Sequence, residues 1–308
     1  MPEPPTLVRR GRLLRIGAAV VVLLAVAAYL IVQYVSGGRP APRCTVVSGN
    51  GDGASYEFTS EQAVNAATIS AVGTSRGMPE RAVTIALATA LQESGLRNIH
   101  HGDRDSLGLF QQRPSEGWGT QAQIMDPVYA AGRFYEHLDK IPGYSRLPLT
   151  VAAQRVQRSG YPQAYAKHEP DATLLAAALT GRAGASLTCE GRPSGTEVRK
   201  PGEPAKVRAA LMRDFGREVS PAAGASGHDV TVPVPATVDS AEGGERQRGW
   251  ELAHWAVANS SALRIERVSY AGRDWIAGDA GGKWSGAAAQ AAAGAGKGLG
   301  EVRIVTAQ

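Results

Sequence analysis

The sequence predicts an α+β protein with a single N-terminal transmembrane helix, a mostly α central domain and a small α/β C-terminal domain. Three observations carry that expectation. Residues Ile16 to Val35 form an apolar run without a charged side chain. The stretch from Cys44 to Glu190 shows apolar residues at helical spacing and few strand signals, whereas strand-like and Gly-rich segments alternate after residue 246. The 37 Gly and 18 Pro gather around residues 36–54, 192–204, 216–246 and 278–300, the composition of linkers between folded pieces. The expected organisation is a cytoplasmic basic tail (1–15), a transmembrane helix (16–35), a helical domain (44–190), a linker with a short helix (191–246) and an α/β module (247–308).

At the N-terminus, Arg9, Arg10, Arg12 and Arg15 precede the apolar run. A helix of about 20 apolar residues spans the bilayer core, and basic residues on its short leading side favour a cytoplasmic N-terminus. The main domains would then be extracytoplasmic on a single-pass membrane protein, with lipid as a partner of the helix. A cleaved signal peptide is the alternative, but the run exceeds the usual ~7–15 residue core and no A-x-A site follows. The "APRC" stretch before Cys44 argues against lipidation there. The two cysteines, Cys44 and Cys189, flank the central region. In an oxidising compartment they would close a disulfide; independent buried thiols are the alternative. The net charge of +5 includes the arginines of the tail. No basic run with interleaved aromatics points to nucleic acid, and a mildly basic surface suits anionic wall polymers or headgroups.

In the central region, "SEQAVNAATISAVGTSRG" reads as a helix starting at Ser60 and ending at Gly77. "PERAVTIALATALQES" reads as a second helix, apolar on nearly all faces and hence a core element. Further helices are predicted from Asp126, from Thr150 and from Asp171 to Gly181. The second helix ends in Glu93, just before Ser94 and Gly95. A carboxylate there meets the negative end of the helix dipole and limited solvent, and both disfavour ionisation. A raised pKa is what a general acid needs to deliver a proton near neutral pH, although a lone Glu near a helix end is commonly a surface acid.

The surroundings of Glu93 separate these readings. "ESGL" at 93–96, with Gly108-Leu109-Phe110-Gln111 beyond it and an Asp126-Pro127 helix start carrying Tyr129, Gly132 and Tyr135, resembles the lytic transglycosylase and goose-type lysozyme group over residues 60 to 170. The resemblance implies a lysozyme-like domain, no cofactor, and Glu93 as the sole catalytic acid. Glu93 would protonate the glycosidic oxygen and then, as a carboxylate, accept the proton of the muramoyl 6-hydroxyl, giving a 1,6-anhydro product. Ordinary glycosidases use two carboxylates. The partner implied is the peptidoglycan glycan strand, with Ser94, Gly108, Leu109, Phe110 and Gln111 lining its cleft. Gln111 can both donate to and accept from a sugar. Trp118, between glycines, is a candidate stacking platform. The "HHGDRD" loop offers His100, His101, Asp103 and Asp105, but neighbours in one loop seldom converge, so no metal site is inferred.

One departure bears on catalysis. Many members of the group carry an Ala-Tyr-Asn-Ala-Gly stretch whose Tyr hydrogen-bonds the catalytic Glu. Here "VAAQRVQRSGYPQAYAKHEP" stands in that region without a Tyr-Asn pair, leaving Gln154, Tyr161 or Tyr165 as substitutes. An acid without its orienting partner is slow or inactive. A non-catalytic peptidoglycan-binding or envelope scaffold is therefore the alternative to an enzyme. A transporter is disfavoured because one apolar span cannot line a path alone.

After residue 190, "PAKVRAALMRDFG" reads as an amphipathic helix, followed by a low-complexity loop to about Arg246. "GWELAHWAVANSSALRI" places Trp250, Ala253, His254 and Val257 at helical spacing, with His254 read as packing. "IERVSYAG" and "DWIAG" suggest a hairpin and "EVRIVTAQ" a last strand. This module weakly resembles a degenerate peptidoglycan-carboxypeptidase-like domain. Its last strand carries no His or Cys, so zinc chemistry does not follow and the module reads as binding or structural.

Overall fold

The structure, a computed structural model, describes residues 15–29, 43–161, 163–190, 201–224, 227–235, 244–278, 283–286 and 300–308. The chain divides into two units, Met1–Ala41 and Pro42–Gln308. In the first, residues 15–29 form helix α1, with every described residue exposed. Among the described residues no helix is long and apolar enough to cross a membrane, which corrects the expected transmembrane helix over 16–35. At ~1.5 Å per residue, the described part of α1 rises about 22 Å, less than the ~30 Å hydrocarbon core. Residues 30–35 of the expected span lie outside the described residues.

The second unit is α+β, and helices dominate its first half. Strands β1 (Arg43–Val47), β2 (Ser55–Thr59) and, far along the chain, β3 (Leu187–Cys189) make an antiparallel sheet in the order β2-β1-β3. Cys44 and Cys189 lie directly opposite each other on β1 and β3, and their sulfurs are bonded. The disulfide thus joins the two ends of the helical region.

Between β2 and β3 run α2 (Ser60–Ser75), α3 (Glu80–Ser94), α4 (Gln121–Ile124), α5 (Pro127–Asp139), α6 (Leu149–Gln157) and α7 (Glu169–Leu179). α2 starts at Ser60, and Thr59 caps it: its hydroxyl accepts from Gln62 N while the Gln62 side chain accepts from Thr59 N. Asp126 caps α5 by accepting from Val128 N, and Pro127 takes the first helical position, where a missing N–H costs nothing. From Ala82 to Leu91, α3 is buried on every face, as its all-round apolar sequence requires. It packs against α2, α6 and α7, so its C-terminal end, with Glu93, is held on a rigid axis.

Helix α8 (Pro204–Phe215) occupies the expected linker. Two strands follow there as well, β4 (Ala222–Ala223) and β5 (Asp229–Pro233), in a stretch read from sequence as loop. Then come α9 (Gly244–Ala258), α10 (Ser260–Leu263), β6 (Ile265–Tyr270), β7 (Arg273–Ile276), β8 (Ser285–Gly286) and β9 (Glu301–Thr306). They form a six-stranded sheet ordered β4-β5-β9-β6-β7-β8, in which the last strand of the sequence is central. The expected hairpin is β6–β7, with Val268 opposite Trp275.

α9 packs on this sheet and also on α2, α7 and β3. Its contacts to the helical region are specific: His254 Nδ1 is 2.7 Å from Ala178 O, and Trp255 Nε1 donates to the buried Asp214, which also accepts from Thr68 of α2. Trp284 Nε1 donates to Leu187 O of β3. One continuous apolar core therefore runs from the helical region into the sheet.

Candidate active site

The site starts from the way α3 stops. Gly95 takes a left-handed conformation (φ 61°), which a residue without Cβ adopts at little cost, and its N–H bonds Leu91 O while Leu96 N bonds Ala90 O. This turn leaves Glu93 in the last helical turn, half-buried.

Burial raises the Glu93 pKa above the ordinary carboxylate range, and hydrogen bonds from Tyr165 and Gln157 oppose that rise. The Tyr165 hydroxyl donates to Glu93 Oε1 at 2.7 Å, across 72 positions of sequence. Tyr165 is fully buried, just before the short turn Ala166–His168. Its burial first, and the nearby Glu93 charge second, hold its phenolic proton far above the usual range, so it remains a donor at physiological pH. Gln157 closes α6; its Nε2 donates to Phe110 O at 2.8 Å. Neither partner of Glu93 is an acid.

The Gly108-Leu109-Phe110-Gln111 segment turns back beside the end of α3. Gly108 has φ 75°, and a Cβ there would stand 2.8 Å from Ile124 O, so both conformation and space demand glycine. Leu107 and Gln112 exchange backbone hydrogen bonds at 3.0 Å across the turn. Ser94 ties the turn to the helix: its hydroxyl lies 2.8 Å from Leu109 O and accepts from Arg97 N. Ser94, Leu109 and Phe110 are buried, and Phe110 stacks on Phe134 with ring centres 4.7 Å apart. Their side chains build the wall of the site from behind.

Gln111 is half-exposed, with φ 48° and its amide 3.3 Å from Gly108 O. Trp118 is half-buried, edge-on to the His137 ring at 4.1 Å, and its carbonyl accepts from Tyr129 OH. Tyr161 stands 80% exposed. Among the three proposed substitutes for the orienting partner, Tyr165 alone has a hydrogen bond to Glu93; Gln154 instead exchanges bonds with Ser159.

In the "HHGDRD" loop, Asp105 is bound by Arg113 Nε (2.7 Å), Ser115 N (2.9 Å) and Ser115 Oγ (3.0 Å). The Ser115 N–H and the Arg113 guanidinium hold its carboxyl far below the usual range. Asp105 thus clasps the loop. Among the described residues no group of three or more His, Cys, Asp or Glu is placed to hold a metal ion.

Gln157 is the residue that sequence reading missed. A signal was present: it lies four residues after buried Ala153 on the core-facing stripe of α6, a polar side chain where an apolar one belongs. No protein-family model matches this chain, and no curated protein matches it.

Proposed function

We propose that this protein cleaves peptidoglycan glycan strands as a lytic transglycosylase, with Glu93 as its single acid and base. The observation that carries the reading is the 2.7 Å hydrogen bond from buried Tyr165 to a half-buried Glu93 at the end of a core helix. A tyrosine bonded to the acid is what the resemblance implies, so the contact supports the reading although no Tyr-Asn pair is present. A proton held by burial is available to a leaving oxygen, and a fixed donor keeps one carboxylate oxygen aimed.

In the first step Glu93 gives its proton to the glycosidic oxygen as the bond from that oxygen to the muramoyl C1 breaks. The muramoyl O6 bonds to C1, and its proton passes to the Glu93 carboxylate, which restores the acid. Water is not consumed, and no second carboxylate is required. In this reading the exposed Tyr161 and the partly exposed Gln111 and Trp118 are the candidates for sugar contact, while Gly108 is buried and shapes the turn behind them. The Cys44–Cys189 disulfide supports an extracytoplasmic placement, where such bonds persist and the wall polymer lies.

Mass spectrometry of purified peptidoglycan incubated with the full chain and with its Glu93→Gln variant tests the reading. Anhydromuramoyl products are expected from the wild type, with a loss of ~10²–10⁴-fold in the variant. Reducing-end products would instead identify a hydrolase. Binding without cleavage by either protein would overturn catalysis in favour of a glycan-binding scaffold.

A further inference from the structure

The segment that carries Tyr165 is fastened to the end of α3 at more than one point. Tyr165 opens the 3-10 turn Ala166–His168, and the His168 N–H closes that turn on Tyr165 O at 3.1 Å. Residues three apart in a 3-10 turn stand one above the other, so Tyr165 and His168 project the same way, toward α3. Their side chains meet neighbouring residues of that helix: the Tyr165 hydroxyl donates to Glu93 Oε1 at 2.7 Å, and His168 Nε2 lies 3.2 Å from Gln92 Oε1. An amide oxygen only accepts, so this bond requires the His168 proton on Nε2. Burial first and Lys167 second hold the half-buried His168 ring toward its neutral form, with Asp171 opposing. One residue on, Glu169 Oε1 is 2.7 Å from Arg81 Nη1 in the first turn of α3, which ties the start of α7 to the same helix.

We propose that His168 is a positioning residue: its bond to Gln92 pins the turn that presents Tyr165 and so keeps the Tyr165 hydroxyl in register with Glu93. The catalytic meaning of this inference rests on the proposed transglycosylase activity; the fastening itself does not. A second fastening has a physical reason. Among the described residues from 158 to 164 there is no helix or strand, and Gly160 and Tyr161 are exposed, so restraint on Tyr165 comes from the α7 side and from the side chains themselves. One hydrogen bond from such a segment can swing or lengthen, and misplacement of about 1 Å costs roughly 100-fold in rate. Gln92 and Glu93 are consecutive on a rigid core helix, so a contact fixed at one sets the spacing at the other.

The test uses the full chain and three substitutions. Gln92→Leu removes the acceptor at a half-buried position and leaves the His168 ring in place. His168→Phe removes the donor at similar size, and His168→Gln restores an N–H at about the reach of the ring Nε2. Carbon-detected NMR of labelled Glu side chains, with the Glu93 signal assigned by its loss in Glu93→Gln, reports the Glu93 titration without any need for activity. The midpoint is expected to move to higher pH in Gln92→Leu and His168→Phe, because Tyr165 no longer holds its bond to the ionised form, and to return toward the wild-type value in His168→Gln. In a Tyr165→Phe background the same substitutions are expected to add nothing, since the contact through which they act is gone. With solubilised glycan strands, kcat is expected to fall roughly 10- to 100-fold in Gln92→Leu and His168→Phe with KM little changed. A midpoint unmoved in both folded variants would overturn the positioning role. So would an equal shift with and without the Tyr165 hydroxyl, which would mean that His168 acts on Glu93 by charge or solvent access. A shift that depends on Tyr165, in a chain that yields no anhydro product, would uphold the fastening and overturn the transglycosylase reading alone.

Discussion

Glu93, one residue from the end of α3, and His254, in the middle of α9, are both ionisable side chains that burial drives toward their neutral forms. Their surroundings differ. His254 is fully buried, its Nδ1 facing Ala178 O and its Nε2 without a partner, with the Trp250 ring stacked beside it and Trp284 edge-on. Glu93 keeps part of its surface exposed and receives the Tyr165 hydroxyl from a segment outside its helix. Desolvation alone makes a sealed packing group. Desolvation with one open side and fixed donors makes a group that can exchange a proton with a ligand.

The comparison has its largest consequence in stability. His254 has its pKa pushed from 6.5 down to about 4 by burial, the Ala178 carbonyl opposing. The unfolded chain therefore binds this proton first as pH falls. Stability is intact above about 6.5, declines between 6.5 and 4, and the full loss is on the order of 3 kcal/mol. Urea unfolding at a series of pH values should show that decline in wild type and a flatter one in His254→Gln. Equal slopes would break the comparison on the His254 side.

A smaller effect is expected at the donor. Tyr165→Phe removes the hydroxyl that favours the ionised form of Glu93, so under the proposed activity the alkaline limb of the rate profile should move to higher pH and the rate fall about tenfold or more. An unmoved limb would mean that Tyr165 packs against Glu93 without tuning it.

The smallest effect concerns the cost of Glu93 itself. Its raised pKa means that the folded chain holds the proton more tightly than the unfolded chain does. Stability then falls as pH rises from the ordinary carboxylate value near 4.5 through the raised one. Thermal unfolding should find Glu93→Gln at least as stable as wild type at pH 8, with the advantage gone at pH 3. A variant that is less stable at pH 8 would contradict a burial cost at this position.

Much of the architecture was legible because helices write themselves in local pattern. The all-apolar α3, the Asp126-Pro127 start of α5 and the hairpin after α10 are set by neighbours within a few residues. β5 was not legible. Asp229–Pro233 sits in a Gly-, Ala- and Pro-rich stretch whose strand character comes from pairing with β9, some seventy residues on. The transmembrane expectation rested on composition alone: apolar residues mark where a span is allowed, while among the described residues no helix is long and apolar enough to cross a membrane.

At the site the same division holds. The chain's own order determined that a carboxylate ends a core helix before a Gly stop, that Gly108 opens the turn beyond it, and that two cysteines bracket the region. Only the tertiary structure decided that Cys44 faces Cys189 in register, that Tyr165 rather than Gln154 or Tyr161 reaches Glu93, and that Gln157 donates to Phe110 O in the turn beyond it. Local pattern depends on backbone geometry that repeats every few residues. The choice of a partner 72 positions away depends on how α3, α6 and the Tyr165 turn pack, and packing sums over many weak contacts that no single segment records.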